Sequence, residues 1–101
     1  MKLVYSAVAV ADLKRLRAFI AEHNPTAAAR VASRLREQVE RLEKFPRLGQ
    51  AVQAAPDPET IRDVIFGDYV IRYSLHDDCL VVLKIWHGRE NRPESAAPTD
   101  R

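Results

Sequence analysis

Apolar and polar positions follow two rhythms along this chain, a helical one in the first half and a strand-like one in the second. Lys2-Leu3-Val4-Tyr5 is a short β-prone opening, and Ser6 behind it is suited to cap a helix. Ala9, Leu13, Leu16 and Ile20 then recur at spacings of four, three and four, with Asp12, Lys14, Arg15 and Arg17 between them. That stripe predicts a helix over residues 6–23. Asn24-Pro25 is a second start signal, since Asn caps free amides and Pro fits the first helical position without wasting a donor. Ala28, Val31, Ala32, Leu35, Val39 and Leu42 form the next stripe, ended by Phe45-Pro46. Glu37 with Arg41, and Glu40 with Lys44, sit at the favourable i,i+4 spacing on this helix.

Residues 47–59 hold Gly49, Pro56 and Pro58 and have no period, which predicts a long connecting loop. Strands are expected over residues 61–66, 69–76 and 79–87, separated by the two-residue turns Gly67-Asp68 and Asp77-Asp78. Turns this short force antiparallel neighbours. The layout is β-α-α-β-β-β, an α+β domain with a helical hairpin packed on one face of a small, mainly antiparallel sheet that the opening strand joins. After Gly88 the composition turns polar and Pro-rich, so the expected folded domain is 1–92 and the expected disordered tail 93–101.

Composition narrows the function. At 101 residues, with 47% apolar and 30% charged positions, the chain is one globular domain with a core small enough to lean on a partner. Its single Cys79 cannot close an internal disulfide, and no Cys or His pair has zinc-ligand spacing, so a reduced, cytoplasmic protein with no metal and no cofactor is expected. The apolar opening is too short for a secretory signal, and no run reaches the roughly 18 residues that span a bilayer. The net charge of +2 conceals an asymmetry: residues 1–50 carry +5 and residues 51–101 carry −3. A basic helical half permits contact with an acidic partner without requiring it.

Several local words occur in a telling order: Ala11-Asp12-Leu13, residues 42–49 (Leu-Glu-Lys-Phe-Pro-Arg-Leu-Gly), Tyr69-Val70-Ile71-Arg72-Tyr73, and Ile85-Trp86-His87-Gly88-Arg89. In order and spacing the chain resembles the RelE/ParE superfamily of type II toxins over residues 1 to about 92. The resemblance implies a toxin held inactive by a cognate antitoxin, as a homodimer or as a heterotetramer with that antitoxin. It also implies one of two targets. ParE-like members, associated with plasmid stabilisation, inhibit DNA gyrase without a known hydrolytic site, whereas RelE-like members cleave messenger RNA on the ribosome.

A ribonuclease needs a base for the ribose 2′-hydroxyl, donors for the phosphorane charge and an acid for the leaving oxygen. Arg62, Arg72, His87 and Arg89 are the candidates for that work. Each has a plainer reading. His87 shares strand parity with Val81, Leu83 and Ile85 and would face the core as a polar cap, and Arg72 suits a solvated sheet position. Tyr69 and Tyr73, in step with Ile71 and Leu75, read as core. The acidic second half suits repeated phosphate contacts poorly, and the His-Gly-Arg ending resembles ParE-like sequences, so the ParE-like reading is preferred. An inert relative that only binds antitoxin is the third reading. Target contacts are then expected from Arg15, Arg34 and Arg41 on the helices and from Trp86 as an interface anchor. Asp77-Asp78 is read as a turn, not a metal site.

Overall fold

The computed structural model describes residues 2–57 and 60–88. Arg89, the expected tail 93–101 and two residues of the connecting loop lie outside that set. The elements run β1 (Lys2–Tyr5), α1 (Ala7–Ala21), α2 (Pro25–Lys44), β2 (Gln50–Ala51), β3 (Ile61–Phe66), β4 (Tyr69–Leu75) and β5 (Cys79–His87). Both helices start where the caps predict. Ser6 Oγ accepts from the Ala9 amide at 3.0 Å, and Asn24 Oδ1 accepts from the Ala27 amide at 3.1 Å with Pro25 next in line.

The five strands form one sheet in the order β1-β5-β4-β3-β2. β3, β4 and β5 are an antiparallel meander, and β1 lies parallel to β5, with Lys2 beside Cys79 and Tyr5 beside Val82. The Gly67-Asp68 turn works because Gly67 takes φ +59, a left-handed value that a side chain would oppose. One strand was not expected. Gln50-Ala51 lies in the stretch read as loop, and it pairs with Asp63 and Arg62 of β3; a two-residue strand is too short to show a period.

Both helices cover one face of the sheet. Ala9, Leu16, Leu35, Val39 and Leu42 pack with Ile71, Tyr73, Leu80, Val82 and Ile85 into the core. This cluster follows the helix stripes and the odd positions of β4, as the sequence pattern required. In β5 the parity breaks. Tyr73 is opposite Val82 and Arg72 is opposite Lys84, so Leu83 is an extra residue, a β-bulge. His87 does face the helix side, but its companions there are Leu80, Val82 and Ile85, not Val81 and Leu83. Asp12 also departs from expectation. Read as a polar residue between stripe members, it is only 7% exposed, because its carboxylate turns to the β5 backbone.

Candidate functional site

The cations that a ribonuclease would need are distributed by strand pleat. Arg62 pairs with Tyr73 across β3 and β4 and therefore points to the helix-covered face, whereas Arg72, one position from Tyr73, points to the opposite face. His87 pairs with Tyr69 and returns to the covered face, four positions along β4 from Tyr73 and one strand further over. Counting strand rise and strand spacing, Arg62 and His87 are on the order of 15 Å apart. The sheet itself separates both from Arg72.

Each of the three is engaged by protein groups. Arg62 is 8% exposed, and its Nη1 donates to the Gly49 carbonyl at 2.7 Å. The same stretch is held by Tyr73, whose hydroxyl donates to the Pro46 carbonyl at 2.6 Å and accepts from the Gly49 amide at 2.9 Å. Burial pushes the Tyr73 phenol above its ordinary value, against the opposing pull of the Gly49 hydrogen bond and the Arg62 charge. Gly49 is obligatory in this knot: an added Cβ would lie 2.8 Å from the Asp63 carbonyl oxygen and 2.8 Å from the Tyr73 hydroxyl. Arg62 and Tyr73 therefore fasten the α2-to-β2 connection onto the sheet.

On the outer face, Arg72 binds Asp63 in bidentate fashion, Nε to Oδ1 at 2.8 Å and Nη2 to Oδ2 at 3.0 Å. Its guanidinium also lies over the Trp86 ring, 5.2 Å from the centroid. A carboxylate already occupies the fork that a phosphate would use. Trp86 is 4% exposed, so it is a platform for Arg72 and not a protruding anchor. His87 meets the Tyr69 ring edge-on at 5.1 Å and lies 3.9 Å from Asp68. Asp63 and Asp12 are the residues that sequence reasoning missed. The signal for Asp63 was available, since counting outward from the Gly67-Asp68 turn brings it opposite Arg72. Among the described residues, no group of three or more His, Cys, Asp or Glu is arranged to hold a metal ion.

The helix candidates divide as well. Arg15 is tied to Asp12 at 3.1 Å. Arg34 and Arg41 are exposed on α2, and Arg41 Nη1 donates to Gln38 Oε1 at 3.4 Å. Arg41 also overlooks a groove of about 540 Å³ at the sheet edge, where Leu48, Val52, Ile65 and Val70 supply apolar surface. Ile65 is 72% exposed there. No helix among the described residues is long and apolar enough to cross a membrane.

A helical hairpin on one face of a five-stranded, mostly antiparallel sheet places the chain in the class of RelE/ParE-like α+β domains. A structure from the chromosomal ParDE TA system of P. aeruginosa shares this fold with a TM-score of 0.71 at 19% identity, over 86% of this chain and 95% of that one. Residues 3–92 match the family described as ParE toxin of type II toxin-antitoxin system, parDE, and the chain belongs to that family. It is also 33% identical to Toxin RelE2 of Caulobacter vibrioides, over 86% of this chain and 94% of that protein. Toxin RelE1 of the same organism is 37% identical, over 80% of this chain and 86% of that protein. The chain is thus a type II toxin, and its family implies a cognate antitoxin as partner.

Proposed function

We propose that the chain acts as a ParE-like inhibitor of DNA gyrase, through surface contacts and without a hydrolytic site of its own. The observation that carries this reading is the dispersal of Arg62, Arg72 and His87 over two sheet faces. General acid-base cleavage of RNA needs its base, its acid and its charge donors within hydrogen-bonding reach of one phosphate. Here one arginine fastens a loop, another is neutralised by Asp63, and the histidine stands at the far end of the meander. Target contact falls to the exposed Arg34 and Arg41 of α2. The antitoxin then occupies the edge groove, with apolar side chains on Leu48 and Ile65 and an acidic group facing Arg41. A supercoiling assay with the free toxin tests the target: the reading expects gyrase to be inhibited at excess toxin, and untouched supercoiling would reject it.

The names of the two Caulobacter relatives support a second reading, a ribosome-dependent messenger ribonuclease that uses Arg62, Arg72 and His87. It requires Arg62 to leave the Gly49 carbonyl and Arg72 to leave Asp63 when RNA binds. Messenger cleavage that survived both Arg72→Ala and His87→Ala would exclude it.

A further inference from the structure

β1 accompanies β5 only from Cys79 to Val82, because the chain leaves the sheet at Ser6 to begin α1. The next stretch of β5 would present bare backbone on that side, yet the side chain of Ser6, which caps α1, and two from within the helix take it over. Ser6 Oγ donates to the Leu83 carbonyl at 3.0 Å. Asp12 Oδ2 accepts from the Ile85 amide at 2.9 Å, and Arg15 Nη2 reaches the Ile85 carbonyl at 3.4 Å while holding Asp12 Oδ1 at 3.1 Å. A neighbouring strand would offer Ile85 one acceptor and one donor. Asp12 and Arg15 offer the same pair from a single helical turn.

We propose that the Asp12-Arg15 couple is an edge guard: it substitutes for a strand beside Ile85 and keeps β5 from pairing with the same edge of a second copy of this chain. An open edge is a template for further strands, and a like edge is the partner present wherever the chain itself is concentrated. Two such edges related by a two-fold axis pair antiparallel, which is self-complementary. The flanking surface fits that occupant. Val8 and Phe19 fall on the same side of α1 as Asp12 and Arg15, at i, i+4, i+7 and i+11, and are 49% and 57% exposed. Two copies meeting along β5 would cover both. The role also accounts for a buried carboxylate in the Ala11-Asp12-Leu13 word, which neither proposed target uses.

Amide hydrogen exchange and light scattering on the full chain test this together. Dilute Asp12→Ala is expected to exchange the Ile85 amide at least about tenfold faster than the parent, with Leu35 and Val39 unchanged. As its concentration rises it is expected to dimerise and regain protection at Ile85. Asp12→Asn, whose amide oxygen still accepts, stays within about threefold of the parent in exchange and keeps its mass. Arg15→Gln changes an exposed side chain and keeps the acceptor, so it opens the edge less and dimerises at higher concentration than Asp12→Ala. Should Asp12→Ala fail to fold, Arg15→Gln decides, and parental exchange and mass in that variant would overturn the proposal. A folded Asp12→Ala that stays monomeric would overturn the guard, and one whose Ile85 amide stays protected when dilute would overturn the contact itself.

Discussion

The two faces of the sheet use arginine in opposite ways. On the covered face Arg62 is enclosed with Tyr73 and Gly49, and its charge serves to hold a backbone carbonyl. On the outer face Arg72 lies on Trp86 and closes a fork with Asp63, with part of the pair still reached by water. Side chains one residue apart on paired strands are thus divided by the sheet. A strand alternates its faces, so cations that are close in sequence can be remote in chemistry. Closeness of Arg62, Arg72 and His87 in the meander therefore still leaves Arg72 across the sheet from the other two.

The covered face should tolerate damage far less than the outer one. Gly49→Ala drives a Cβ against backbone and the Tyr73 ring, where little can yield, and should cost about 3 kcal/mol in chemical denaturation. Tyr73→Phe leaves the Gly49 amide and the Pro46 carbonyl without the hydroxyl between them, at a cost of about 2 kcal/mol. It should also change the alkaline limb of stability. A phenol raised in the folded state above the ordinary 10.0 contributes stability that is present below that value and lost as pH rises through the folded pKa. Part of the fall in the melting temperature above pH 10 should therefore vanish in Tyr73→Phe. Arg72→Met, on the outer face, should cost only about 1 kcal/mol, because solvent can rehydrate Asp63. Equal costs for Arg72→Met and Tyr73→Phe would break the distinction between the faces. Reversing Arg34 and Arg41 to Glu should alter stability by no more than about 0.5 kcal/mol, yet weaken gyrase inhibition in a titration.

Much of this architecture was legible in the chain because local chemistry and global packing agree. Ser6 and Asn24-Pro25 placed both helix starts, the apolar stripes gave the buried faces, and Gly67-Asp68 set the meander register. What escaped depended on distant partners. Gln50-Ala51 is a strand only because β3 lies alongside it, and Leu83 is a bulge only by comparison with Arg72 and Tyr73. Asp12 looked like an ordinary solvated helix position, since its partner, the Ile85 amide, is 73 residues away. For the site, residue types suggested an Arg-Arg-His set, and parity could already separate Arg62 from Tyr73's neighbour Arg72. Burial of Arg62 could not be read, because it depends on the Gly49 carbonyl brought in by the connecting stretch.

The claim that these cations form no common catalytic centre is tested most directly on translating ribosomes. Purified toxin in molar excess is added to programmed ribosomes, and the messenger is mapped for new 5′ ends, alongside Arg72→Ala and His87→Ala. An intact messenger is expected with all three proteins. Cleavage by the parent toxin that is lost in both variants would contradict the claim.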